Sequence, residues 1–246
     1  MIDRGTTLEA LRDGEIAIVG RIVASSNNAM LVTVARVCPD PEPEPVLVLD
    51  AIYKPTLGER PLDDFPDGTL ARREVAAWHV SEATGWGIVP PTILRDGPFG
   101  EGMVQAFIDA DPEVDVIAMV VDDDPRLRRM AVLDAIMNNT DRKGGHILPV
   151  DGGRHVYGVD HGVTFSPTPK LRTVLWGWRG QPLTPDEVDG LERVRDGLDG
   201  ELGVTLAGLL SRAEVRATTR RTEALLASGC FPYPSPDWPA IPWPPF

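Results

Sequence analysis

Asn138-Asn139-Thr140-Asp141-Arg142-Lys143-Gly144-Gly145-His146, followed fourteen residues later by Asp160-His161-Gly162, is the stretch from which the rest of the chain can be ordered. It sets out an Asp, a Lys two positions on, a potential metal ligand five positions on and a second Asp-x-Gly downstream. In-line transfer of a γ-phosphoryl group needs a carboxylate near the attacking hydroxyl, a cation on the transferring oxygens and a divalent metal across the phosphates. The charge that develops must meet groups already in position. Asp141, Lys143 and the pair His146 with Asp160 offer these in turn, which makes the stretch a candidate nucleotide and metal site. Residues 147–150 and 155–159 read as short strands joined by the turn Asp151-Gly152-Gly153-Arg154, and such a hairpin returns Asp160 to the end where His146 lies. Asp-Gly-Gly and Asp-His-Gly are also ordinary turn chemistry, since Asp and Gly serve any chain reversal. An upstream half in the right order is what distinguishes a site from two turns.

That half begins at Val46-Leu47-Val48-Leu49-Asp50-Ala51-Ile52-Tyr53-Lys54-Pro55, where a Lys closes an aliphatic run and can reach phosphate oxygens from a rigid strand if an acid holds its ammonium. Glu74 is the candidate acid. It lies in a helical pattern over 70–83 in which Leu70, Val75, Trp78 and Ala83 approximate an apolar face and Gly85 is the stop. A solvated strand end and a helix-surface charge are the alternative for these two residues. Before them, 15–23 and 29–35 look like strands joined through Ala24-Ser25-Ser26-Asn27-Asn28, small polar residues able to turn hydroxyls and backbone N–H groups toward phosphates or simply to make a β-turn.

Three further regions organise the chain. Residues 38–45 hold four prolines and read as an exposed connection, and 96–102 is a glycine-rich loop. Residues 122–137 read as one helix with an acidic start and a proline in its first turn, delivering Asn138 and Asn139 to the Asp141 loop. From Pro185 to Ala227 the chain reads as two helices, with Thr184 and Glu187 forming a capping box. Arg212, Arg216, Arg220 and Arg221 recur at helical spacing, as a solvated face or an anion-attracting stripe. Residues 230–246 contain seven prolines and favour extended structure, but Phe231, Tyr233, Trp238, Trp243 and Phe246 predict a segment laid along the protein surface rather than a tether.

In this order the elements resemble the phosphoinositide 3-/4-kinase-like branch of the atypical kinases, which includes HipA-type bacterial kinases and a largely actinobacterial group of phosphatidylinositol-kinase-like proteins. Tyr53-Lys54-Pro55, Arg73-Glu74-Val75-Ala76, Gln105-Ala106-Phe107-Ile108, Asp141-Arg142 and Val159-Asp160-His161-Gly162 carry the resemblance across about two-thirds of the chain. It implies an α+β, two-lobed kinase-like fold, with a small β-rich N-lobe over 1–104 and a hinge and mainly helical C-lobe over 105–246. It also implies ATP and a divalent metal, Mg²⁺ or Mn²⁺, as cofactors. Lys54, partnered by Glu74, would hold the α- and β-phosphates, and Ser25, Ser26, Asn27 and Asn28 would cover them. Gln105, Ala106, Phe107 and Ile108 would form the hinge against adenine, Asp141 would be the catalytic acid/base and Asp160 a metal ligand. The sequence departs from the family pattern at His146, where Asn is usual; imidazole favours Mn²⁺ over Mg²⁺, or His146 is packed and Asp160 is the only protein ligand.

Composition bounds the partners. The net charge of -13, from 24 Lys and Arg against 37 Asp and Glu, disfavours nucleic acid and an anionic lipid surface, including a phosphoinositide substrate. Cys38 and Cys230 form no metal or redox spacing. With no apolar run near eighteen residues and no secretory pattern at the N-terminus, a cytoplasmic protein without a membrane span is expected. Three functions fit: a kinase acting on a protein or small-molecule hydroxyl, a nucleotide-binding pseudokinase or regulator, and a nucleotidyltransferase moving AMP on the same fold.

Overall fold

A computed structural model describes residues 3–22, 28–36 and 47–246. Ser25, Ser26, Asn27, Cys38 and the proline-rich connection at 38–45 lie outside the described residues. The chain divides into two compact units, Met1–Val75 with Pro90–Ile108, and Ala76–Val89 with Asp109–Phe246.

The first unit is an antiparallel sheet of β1 (Glu15–Arg21), β2 (Met30–Arg36), β3 (Leu47–Pro55), β4 (Thr92–Gly97) and β5 (Gly100–Ala106), in the order β1-β2-β3-β5-β4. Alternate side chains of a strand face opposite sides, so Met30, Val32 and Val34 of β2 and Ala51 and Tyr53 of β3 are buried together, with Leu11 and Val104. Leu11 comes from α1 (Arg4–Asp13), a helix not anticipated above. Its sequence signals are Asp3, whose side chain accepts from Thr6 N, and Gly14 at its end. Arg95 of β4 finishes that end by donating to the carbonyls of Leu11 and Gly14 at 2.8 and 2.9 Å. The helix α2 (Leu70–Thr84) starts in this unit, where the Glu59 carboxylate accepts from the N–H groups of Leu70 and Ala71 at 3.0 and 2.8 Å.

The second unit holds α3 (Val116–Val121), α4 (Arg128–Met137), α5 (Pro185–Leu198), α6 (Glu201–Leu209), α7 (Arg212–Ser228) and the hairpin of β6 (Ile147–Val150) and β7 (His155–Gly158). Every residue of α4 from Met130 to Met137 is buried, among them Asp134. Around it pack Leu191, Val194, Leu206, Leu225 and Phe165, with Ala76, Ala77 and Val80 from the later turns of α2. The helix expected over 122–137 starts later: Asp123 takes a left-handed φ of 52°, Asp124 caps a single 3-10 turn at Pro125–Leu127, and α4 follows. Three consecutive acids favour side-chain capping of the backbone over helix propagation. The two helices expected from Pro185 are three. The capping box at Thr184 and Glu187 is present, a break falls at Gly200, and a second box of Ser211 with Glu214 starts α7. The α+β class agrees with the expectation. Among the described residues no helix is long and apolar enough to cross a membrane.

Candidate functional site

In the first unit, β3 carries Lys54 to within 2.6 Å of Glu74 Oε1, one turn into α2. Glu74 is buried while the lysine side chain stays partly exposed, and the ion pair fixes the direction of the ammonium. The arginine beside it, Arg73, is buried by a different contact, its guanidinium 4.8 Å from the Phe65 ring. Asn28, the described member of the polar loop, lies against the turn that follows β3. A Cβ at Gly58 would stand 2.5 Å from Asn28 Cβ, and glycine permits this approach. Of the expected hinge, Gln105 is buried and donates through Nε2 to Thr92 Oγ1 at 2.7 Å, which makes its side chain a sheet contact. Ala106 ends β5, Phe107 is exposed with its N–H on Asp50 O, and Ile108 is half-buried. A 530 Å³ cavity of this unit is lined by Thr56, Leu62, Phe65 and Phe99 but by neither Lys54 nor Glu74.

In the second unit, the loop after α4 is built from below. Asn138 ends the helix in left-handed geometry, and its side chain donates to the carbonyls of Ser166 and Thr168 at 2.9 and 2.7 Å. Asn139 donates to Asp134 Oδ1 at 2.9 Å and accepts from Asp141 N at 3.0 Å. Arg142 has no exposed side-chain surface; its guanidinium meets both oxygens of the equally buried Asp134. It also donates to the carbonyls of His146 and Val159, and Nη2 donates to His161 Nε2 at 2.6 Å. A buried ion pair is tolerated only when its remaining hydrogen-bonding groups are satisfied, and this one is tied to both strands of the hairpin mouth. The backbone at Arg142 is extended and bridges Thr173, with Arg142 N on Arg172 O and Val174 N on Arg142 O. Alternation along that extended stretch sends Arg142 inward and its neighbours outward. Asp141 and Lys143 thus meet at the surface, 3.1 Å apart.

The hairpin brings His146 Nε2 to 3.3 Å from Asp160 Oδ2, with Val159 N donating to His146 O and Asp160 in a left-handed φ of 61°. Burial pushes the His146 imidazole below its ordinary pKa, against the pull of Asp160. A neutral imidazole and a carboxylate are ligand forms, and 3.3 Å is near the ~3 Å separation of adjacent ligands on an octahedral ion with bonds of about 2.1 Å. Among the described residues no group of three or more His, Cys, Asp and Glu could hold a metal ion. An ion held by this pair alone would need its remaining ligands from outside the described residues, as Mg²⁺ takes them from phosphate and water. One detail departs from common metal sites: His146 Nδ1 is buried and makes no hydrogen bond among the described residues, whereas a ligating histidine usually donates its second N–H.

Sequence reasoning missed Asp134, Asn139 and the inward role of Arg142. Only Asp134 had a visible signal, as a lone carboxylate in the apolar run Ala131-Val132-Leu133-Asp134-Ala135-Ile136. Such a group is buried only with a partner.

No family model matches the chain. It is 41% identical to Protein Rv2133c of Mycobacterium tuberculosis, over 96% of this chain and 94% of that protein. Among solved structures, the Helicobacter pylori proinflammatory kinase CtkA matches with a TM-score of 0.54 at 12% identity, covering 89% of this chain and 94% of that one. HipA of Shewanella oneidensis, solved with HipB and operator DNA, matches at a TM-score of 0.43 and 9% identity, over 92% of this chain and 70% of HipA. At such identity the likeness to CtkA is one of fold, and the fold is kinase-like.

Proposed function

The chain belongs to the family of Mycobacterium tuberculosis Protein Rv2133c, and from its site we propose that it is an ATP- and metal-dependent phosphotransferase of the phosphoinositide-kinase-like superfamily, acting on a protein or small-molecule hydroxyl. The observation that supports this best is the division of labour in Asp141-Arg142-Lys143. A buried guanidinium anchors the stretch, and a carboxylate and an ammonium emerge on either side of it. In this reading Asp141 accepts the hydroxyl proton as the acceptor oxygen bonds to the γ-phosphorus and the bond to the β–γ bridging oxygen breaks, releasing ADP. Lys143 meets charge on the transferring oxygens. Lys54, held by Glu74, takes the α- and β-phosphates, with Asn28 and its neighbours over them and residues 105–108 against adenine. His146 and Asp160 would hold a divalent ion, which when bound neutralises phosphate charge. The net charge of -13 favours a soluble acceptor over a phosphoinositide in an anionic bilayer.

One observation favours a second reading, a nucleotide-binding pseudokinase or regulator: His146 stands where the related pattern has Asn, and among the described residues its Nδ1 has no acceptor of the kind that supports a ligating imidazole. Incubation with α- and with γ-labelled ATP, in Mg²⁺ and in Mn²⁺, separates the readings. γ-Label on an acceptor is expected. α-Label on an acceptor would mean nucleotidyl transfer, and binding without transfer would mean the pseudokinase.

A further inference from the structure

Residues 230–246 leave α7 through Gly229 and run back over the second unit, held mainly through their carbonyl oxygens. Ala240 O accepts from Thr173 N at 3.0 Å and from Trp176 Nε1 at 2.8 Å, and the Lys170 ammonium stands 4.5 Å from the Trp238 ring. Pro245 O accepts from Gly144 N at 2.8 Å. The Phe246 ring lies against Gly144 so closely that a Cβ there would overlap it.

These contacts fall on the segment paired with Arg142 and on the residue after Lys143. Thr173 pairs alongside Arg142, whose N–H donates to Arg172 O and whose carbonyl accepts from Val174 N, and Gly144 follows Lys143 directly. Gly144 and Gly145 are the most permissive pair in the loop, because neither carries a Cβ to limit φ and ψ. A Cβ at Gly145 would meet nothing within 4 Å, and the atoms nearest a Cβ at Gly144 all belong to Phe246. Two adjacent glycines left free would lose more backbone entropy on ordering than any other pair of residues. The Pro-rich segment does that ordering with little entropy of its own, since proline fixes φ.

We propose that residues 240–246 are a positioning strap for the Asp141 loop, and that Pro245 and Phe246 set the direction in which Asp141 and Lys143 leave the chain. This rests on the phosphotransferase reading for its kinetic consequence but not for its structural one. The test uses the full chain with Phe246→Ala, Phe246→Leu, Gly144→Ala and the double variant Phe246→Ala/Gly144→Ala. Phe246→Ala and Gly144→Ala should each lower kcat for γ-phosphoryl transfer by about 10- to 100-fold, the scale of a misplaced catalytic group. KM for ATP and the thermal midpoint should stay at the parent values. Phe246→Leu should retain most of the rate, and the double variant should regain part of it, because the added methyl then occupies the space vacated by the ring. Amide hydrogen exchange at Gly144 supplies a readout that needs no catalysis: it should be protected in the parent and faster in Phe246→Ala. Protection present in the parent and lost in Phe246→Ala, with no phosphoryl transfer by the parent, would uphold the strap and sink the phosphotransferase reading alone. Unchanged exchange in Phe246→Ala, a kcat equal to or above that of the parent, or a rate loss matched by a fall in thermal midpoint would overturn the strap.

Discussion

Lys54 stands 2.6 Å from Glu74 and Lys143 stands 3.1 Å from Asp141, yet Glu74 is 2% exposed and Asp141 33%. In the first pair the carboxylate has left water and depends on the ammonium it orients. In the second both groups remain hydrated, so in the phosphotransferase reading Asp141 exchanges its partner for an acceptor hydroxyl without exposing a buried charge. Beneath the second pair lies a third, Arg142 with Asp134, at 0% and 0%. Consecutive residues, Arg142 and Lys143, therefore do opposite things: one fixes the loop and the other stays available. Distance alone would not have told these pairs apart. Burial does, and burial predicts what each substitution costs.

The largest effect belongs to the buried lock. Asp134→Ala or Arg142→Met should each destabilise the second unit by about 3–5 kcal/mol, because removing one partner strands the other charge in the core. Urea unfolding reads this directly, and a loss near that of a surface substitution would break the contrast. Next comes Lys54→Met, which leaves Glu74 without the lysine in a buried setting and should cost about 1–3 kcal/mol. In the phosphotransferase account it also removes the metal-dependent thermal shift given by ATP, and Asp160→Ala should do the same. A Lys54→Met protein as stable as the parent and equally responsive to ATP would return Lys54 to a solvated strand end.

Lys143→Met should change stability by less than about 1 kcal/mol, as is usual for exposed ion pairs, while lowering transfer. A stability loss as large as that of Lys54→Met would erase the distinction between the two pairs. The smallest effect lies further along the helix that carries Glu74. Burial lowers the pKa of His79, whose ring packs 4.5 Å from that of Trp78. The unfolded chain therefore binds a proton there more readily than the folded one, so stability is full above the ordinary histidine value of about 6.5 and falls as pH drops below it. His79→Gln should flatten that decline in the unfolding midpoint between neutral and mildly acid pH; an unaltered slope would show that His79 does not contribute.

Much of this was legible in sequence because local patterns and chemistry coincided. The run ending at Lys54, the helical face around Glu74 and the Gly-rich turn between β6 and β7 are short-range signals, and the strands, helix and hairpin they predict are present. The capping box at Thr184 marks the start of α5 in the sequence, and the same pattern at Ser211 and Glu214, with the break at Gly200, divides the rest into α6 and α7. The inward turn of Arg142 was not legible, since Asp141-Arg142-Lys143 offers two cations and no periodicity that says which is buried. That choice is made by Asp134, eight residues away on α4. The path of residues 230–246 was equally hidden, because prolines predict extension but not the two carbonyls, of Ala240 and Pro245, that meet Thr173, Trp176 and Gly144.

The most direct test of the central claim is Asp141→Asn, a change that keeps shape and removes the proton acceptor. ATP binding with divalent metal, followed by calorimetry, should match the parent, while single-turnover transfer of γ-label should fall by about 10²–10⁴-fold, the usual contribution of a general base. Loss of ATP binding in a folded Asp141→Asn protein, or transfer at the parent rate, would contradict the account.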